Sequence, residues 1–171
     1  EFTSSSTFSA DENQRSVGVL VASDAEDDLV TFSITDLDGT ASVLTSTSNG
    51  VLSFRDSTGA PDYEIKSTYT AIAIANDGVN STNQEITVNI NNLNDNLPIF
   101  SSSSSFSVDE NQTALGTTIA TDADLDAITY SISGLEMTIN SASGVIAFAS
   151  APDYETKSSY TATVTASDGS N

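Results

Sequence analysis

Apolar and polar residues alternate along much of the chain. Val30-Phe32-Ile34 places an apolar side chain at every second position, and Ile128-Tyr130-Ile132 repeats that stripe further on. Ile86-Val88-Ile90 and Tyr160-Ala162-Val164-Ala166 keep the same period, the second with threonines in its outward positions. Side chains of a strand point to opposite faces in turn, so each stripe predicts a half-buried strand. The residues that carry the stripes, Val, Ile, Tyr and Thr, favour a pleated backbone, and Asp-Gly and Asn-Gly pairs mark the turns between them. No segment holds a 3.6-residue period over two turns. The pattern predicts an all-β chain of packed sheets.

The stripes belong to a repeat. Phe8-Ser9-Ala10-Asp11-Glu12-Asn13-Gln14 returns as Phe106-Ser107-Val108-Asp109-Glu110-Asn111-Gln112, and Ala22-Ser23-Asp24-Ala25-Glu26 returns as Ala120-Thr121-Asp122-Ala123-Asp124, both 98 residues on. Ala60-Pro61-Asp62-Tyr63-Glu64 returns as Ala151-Pro152-Asp153-Tyr154-Glu155, and Ala75-Asn76-Asp77-Gly78 as Ala166-Ser167-Asp168-Gly169, now 91 residues on. The second copy is therefore seven residues shorter, a difference expected near the turn Asp36-Leu37-Asp38-Gly39. Self-similarity on this scale means one domain used twice. The expected organisation is a first sandwich over 1–91, a linker over 92–98 and a second sandwich over 99–171. The first copy continues past Asp77-Gly78 through a strand over 85–90. The second reaches Asn171 soon after Asp168-Gly169, so it is expected to lack its last strand within these residues and to leave 160–166 at a sheet edge.

Charge narrows the function. Net charge is −20, from 24 acidic against 4 basic residues, with no histidine and no cysteine among the 171. That balance argues against nucleic acid and anionic membrane as partners, since both need basic patches. No apolar run is long enough to insert into a bilayer. The sequence opens without a signal-peptide pattern, as expected of a mature chain or a piece of a longer one. Without cysteine there is no disulfide framework and no thiolate site, and without histidine the usual general base is missing. Paired carboxylates could serve a glycosidase, but here they recur in both copies and gather near domain ends, as ligands do. No enzyme is expected, and no catalytic residue is assigned.

The segment Asn92-Leu93-Asn94-Asp95-Asn96-Leu97-Pro98-Ile99-Phe100 sits between the copies and crowds oxygen-bearing side chains before a proline. With Glu12-Asn13, Asp24-Ala25-Glu26, Asp62-Tyr63-Glu64 and Ala75-Asn76-Asp77-Gly78, and the second set of these motifs, it resembles the extracellular cadherin repeat over essentially the whole chain. The resemblance implies tandem Greek-key β-sandwiches of cadherin, immunoglobulin-like, type. It also implies about three Ca²⁺ ions at the linker, bound by hard oxygens drawn from distant segments. Carried over residue by residue, Glu12, Asp62 and Glu64 lie at the base of the first domain. The linker offers Asn92, Asn94 and Asp95 with the carbonyls of Leu93 and Asn96. Asp122, Asp124 and Asp168 stand at the top of the second domain. Glu12, Asp62, Glu64 and Asp95 would hold the outer two ions, Asp124 would reach the middle one, and Asn94, Asp122, Asp124 and Asp168 would hold the third. Incomplete end sites would remain at Asp24, Glu26 and Asp77 and at Glu110, Asp153 and Glu155.

Two departures stand out. Asn92 replaces the usual Asp at the first linker position, which should weaken the middle site, and Glu26 replaces the second Asp of Asp-x-Asp. The expected function is a calcium-binding tandem module that rigidifies a cell-surface or secreted protein for adhesion or protein interaction, self-association included. The cysteine-free, Ser/Thr/Asn/Asp-rich texture looks most like cadherin-like domains of bacterial surface proteins. Because some of those belong to polysaccharide-handling systems, carbohydrate binding through Tyr63, Tyr69, Tyr154 or Tyr160 is the alternative.

Overall fold

The computed structural model describes residues 1–35 and 43–170; the turn around Asp36–Gly39, where the length difference was expected, lies outside them. The chain divides into two compact units, Glu1–Leu93 and Asn94–Asn171. Every regular element among the described residues is a strand, so the all-β expectation holds.

The first unit contains β1 (Thr7–Asp11), β2 (Ser16–Val19), β3 (Thr31–Thr35), β4 (Leu44–Ser46), β5 (Val51–Phe54), β6 (Thr68–Asn76) and β7 (Ser81–Asn91). One sheet has the order β1-β7-β6-β3 and the other β2-β5-β4. β6 and β7 form an antiparallel hairpin from Thr68↔Asn89 to Asn76↔Ser81, and β1 lies parallel on the far side of β7. The predicted stripe on β7 faces inward: Ile86 and Val88 are fully buried and Ile90 nearly so. They meet Ala71 and Ala73 of β6, Leu44 of β4, and Leu52 and Phe54 of β5 in one core. Burying a side chain of this size contributes roughly 1.5–3 kcal/mol, so β7 is the main apolar contributor from its sheet.

The second unit contains β8 (Ile99–Phe100), β9 (Ala114–Thr117), β10 (Ala120–Thr121), β11 (Thr129–Ile132), β12 (Met137–Ile139), β13 (Val145–Phe148) and β14 (Val164–Ser167). They pair as β12-β13-β9, β11-β14 and β10-β8. Corresponding registers are kept: Thr31↔Asn76 in the first unit becomes Thr129↔Ser167 in the second. The buried cluster is smaller, comprising Met137, Ile146 and Phe148 with Tyr160 and Val164 packed against it.

The strand expected over 160–166 forms only over Val164–Ser167. The first unit supplies the reason. β3 pairs with β6 only from Ile72 to Asn76, so Thr68–Ala71 is held in strand form by β7 alone. β1 likewise has β7 as its sheet neighbour. Among the described residues of the second unit no strand takes the place of β7. The counterparts of Thr68–Ala71 and of β1, residues 159–162 and 105–109, are accordingly irregular.

Candidate metal centres

In the first unit the chain leaves β1 at Glu12 and turns through Asn13, whose φ of 62° the Asn side chain tolerates. The Asn13 N–H donates to the Pro61 carbonyl at 3.0 Å, bringing the Glu12 turn against the loop that carries Asp62 and Glu64. Glu12 is 2% exposed. Its Oε2 accepts from the Tyr63 N–H at 2.8 Å and its Oε1 from the Leu93 N–H at 2.7 Å. Carboxylate oxygens of Glu12, Asp62 and Glu64 lie within 4.8 Å of one another. Asn92 follows directly on β7 and is exposed.

In the second unit the loop after β10 reads Asp122-Ala123-Asp124-Leu125-Asp126. Asp122 Oδ1 accepts from the N–H groups of Asp124 and Asp126 at 2.9 and 3.3 Å, a local side-chain turn that fixes its carboxylate. Its Oδ2 is buried and meets no hydrogen-bond donor. Asp124, 5% exposed, accepts from the Asp95 and Asn96 N–H groups at 3.0 and 2.8 Å and from the Asn96 side-chain amide at 2.7 Å. Asn94 donates its side-chain amide to the Asp168 carbonyl at 3.4 Å, while the Asp168 carboxylate caps the Ser170 N–H. Oxygens of Asp122, Asp124 and Asp126 lie within 4.8 Å of one another. Asp126 is not among the motif residues. Its signal was the third Asp in an Asp-x-Asp-x-Asp run, where only the first two match the motif.

The end sets differ from these two. Glu110, Asp153 and Glu155 come within 4.8 Å, but all three are exposed. Glu110 accepts from the Tyr154 N–H at 3.0 Å, as Glu12 does from Tyr63. Asp24, Glu26 and Asp77 line one pocket of about 380 Å³ in the first unit. The Asn80 and Val79 N–H groups hold the Asp77 carboxyl below its usual range. The Thr156 hydroxyl, joined by backbone N–H groups, does the same for Asp153, so both stay ionised to lower pH than an ordinary aspartate.

The four basic residues of the chain each have a contact outside the carboxylate sets. Arg15 pairs with Asp56, Arg55 donates to the Leu44 carbonyl, Lys66 sits over the Tyr69 ring, and Lys157 pairs with Glu136. Carboxylates this close repel unless a cation is shared, and a buried carboxylate oxygen without a donor is costly. Their all-oxygen donor chemistry, with no thiolate or imidazole, suits a hard divalent cation such as Ca²⁺.

No family model and no curated protein sequence matches the chain. Solved structures do. Human protocadherin-24 EC1-2 superposes with a TM-score of 0.77 at 20% identity, over 98% of this chain and 92% of that one. Drosophila N-cadherin EC1-4 gives 0.74 at 21% identity over 94% and 42%. Mouse cadherin-23 EC22-24 gives 0.69 at 26% identity over 94% and 56%. The chain has the fold of tandem cadherin extracellular repeats, as its motifs implied. Nothing in these likenesses points to a bacterial source or to carbohydrate. The aromatic residues offer carbohydrate little as well: Tyr63 and Tyr69 pack on the first core and Tyr160 on the second, leaving Tyr154 exposed.

Proposed function

We propose that the chain is a calcium-binding tandem module of a cell-surface or secreted protein, serving calcium-dependent adhesion or protein interaction. The observation that carries this reading is Asp122: a carboxylate fixed through Oδ1, with a buried and unpartnered Oδ2, inside a cluster of three aspartates. Glu12, Asp62 and Glu64 would hold the metal in the first unit. Asp122, Asp124 and Asp168 would hold it in the second, with Asn92, Asn94, Asp95 and the carbonyls of Leu93 and Asn96 as linker donors. Bound Ca²⁺ supplies positive charge that cancels repulsion among these oxygens. The protein's own part is to preset them: backbone N–H groups fix the Glu12 and Asp124 carboxylates, and the Asp122 turn aims the third. Since Leu93 donates to Glu12 and Asp95 and Asn96 donate to Asp124, the linker backbone is tied to the carboxylates proposed to bind. Clamping that linker is the proposed route from metal to rigidity.

Extracellular calcium modules work with dissociation constants of about 10⁻⁴–10⁻³ M, which suits external rather than cytosolic calcium. The test is thermal melting with and without millimolar Ca²⁺. A rise reversed by chelator, with Mg²⁺ much less effective, supports the reading, and superimposable melts overturn it.

A further inference from the structure

Each repeat carries a lysine on the same turn as two of its carboxylates. Asp62-Tyr63-Glu64-Ile65-Lys66 returns as Asp153-Tyr154-Glu155-Thr156-Lys157. The Lys66 N–H donates to the Asp62 carbonyl at 3.0 Å, and the Lys157 N–H to the Asp153 carbonyl at 2.9 Å. Opposite charges four residues apart on one turn ordinarily pair. Among the described residues neither lysine pairs with the acids of its own turn. Lys66 lies over the Tyr69 ring instead, 4.8 Å from its centre, and Lys157 lies over the Tyr160 ring at 4.4 Å. The rings are held in place. Tyr69 meets Phe54 edge-on with ring centres 5.0 Å apart, and Tyr160 meets Phe148 at 4.9 Å. Burial, and after it the Asp62 charge, keep the Tyr69 hydroxyl protonated above its usual range, so the ring that carries Lys66 also feels the carboxylate. The two lysines differ in one respect. Lys157 donates to both Glu136 oxygens, at 2.6 and 2.7 Å. Val43 stands where Glu136 does, since its carbonyl accepts from Arg55 as that of Glu136 accepts from Ala149. Lys157 thus has a ring and a carboxylate, where Lys66 has the ring.

We propose that Tyr69 is a positioning residue for the first-unit carboxylates: its ring holds the Lys66 ammonium off Asp62 and Glu64 and leaves them to a divalent cation. The inference rests on the calcium reading above and adds to it a residue that sets affinity without touching the metal. Lysine is the natural competitor at such a place. Its ammonium rides on a flexible four-carbon stem, and a cation tethered to the loop competes at high local concentration. An aromatic face attracts the same ammonium, so a ring fixed beside the loop gives it somewhere else to sit. Released from the ring, Lys66 pairs with its own turn, and an incoming ion must displace it. The loss expected is that of one partly exposed ion pair, about two- to fivefold in affinity.

The test is an NMR titration of the full chain with Ca²⁺, read at the Tyr63 and Leu93 amides that donate to Glu12. Tyr69→Leu should raise the apparent dissociation constant about two- to fivefold, and Tyr69→Phe, which keeps the ring, should leave it unchanged. In a Lys66→Met background Tyr69→Leu should also leave it unchanged, because there is no ammonium to release. Equal weakening by Tyr69→Leu with and without Lys66 would make the ring a packing residue only and overturn the proposal. A second measurement needs no variant. Ring current should move the Lys66 side-chain protons upfield of those of a free lysine, in chelator and in calcium alike; resonances at free-lysine positions would overturn the proposal. Wild-type amides that stay unmoved in Ca²⁺ would overturn the calcium reading and this inference with it. Wild-type amides that move, with Tyr69→Leu titrating as wild type does, would overturn this inference alone.

Discussion

Asp122 and Glu12 show how one carboxylate can be asked two different questions. Asp122→Asn keeps the Oδ1 that accepts from Asp124 and Asp126 and replaces only the unpartnered Oδ2 with an amide. It should leave the calcium-free unit folded while weakening calcium binding at least about tenfold, or about 1.4 kcal/mol. Calorimetric titration beside melting in chelator separates the two effects; a loss in chelator as large as the loss in calcium would make Asp122 a structural residue only. Glu12→Gln should behave in the opposite way. Both Glu12 oxygens accept backbone N–H groups in a buried site, and glutamine turns one acceptor into a donor facing a donor. The expected cost is about 1–3 kcal/mol in the first unit even in chelator, read as a lower denaturation midpoint.

Among the elements, two glycines of the repeat carry a matched constraint. Gly50 and Gly144 have φ of +88° and +70°, and a Cβ on them would lie 2.4 and 2.3 Å from the Leu20 and Thr118 carbonyl oxygens. Gly50→Ala and Gly144→Ala should each destabilise their own unit by about 1–3 kcal/mol or more, strain and clash together. Gly59→Ala, at φ +81° with nothing nearby, should cost only the backbone strain, about 1 kcal/mol. Chemical denaturation of the three variants checks the ranking. The strands that alternation made legible, such as Ile86-Val88-Ile90, are those with a sheet partner in place. Alternation also marked Tyr160-Ala162-Val164-Ala166, yet only its second half forms a strand. A side-chain pattern records which face is apolar, and hydrogen-bonding partners decide whether the backbone stays extended. The carboxylate motifs were legible because they recur, and Glu12, Asp62 and Glu64 do converge in the first unit. Asp126 was legible only as the third Asp of its run, since its place beside Asp122 depends on the turn that Leu125 makes at φ 66°.

At the scale of the whole molecule, a net charge of −20 on two small units is a standing repulsion that the proposed calcium would relieve. Each site, if occupied, would add roughly 2.7 kcal/mol at free calcium 100-fold above its dissociation constant, large beside a domain stability of about 5–15 kcal/mol. Removing calcium should loosen the linker before either sandwich melts, because each unit has its own core. Solution scattering should record a longer, stiffer particle with calcium and a more flexible one in chelator. Asp95→Ala should mimic the chelator; a profile indifferent to both would separate linker stiffness from the metal. The central claim, that these carboxylates bind calcium, is tested most directly by an NMR titration with Ca²⁺. The reporters are the amides bonded to the clusters: Tyr63 and Leu93 on Glu12, Asp124 and Asp126 on Asp122, and Asp95 and Asn96 on Asp124. Those six should shift saturably with apparent dissociation constants of about 10⁻⁴–10⁻³ M and return on chelation. Unmoved amides at these positions in millimolar Ca²⁺ would contradict it.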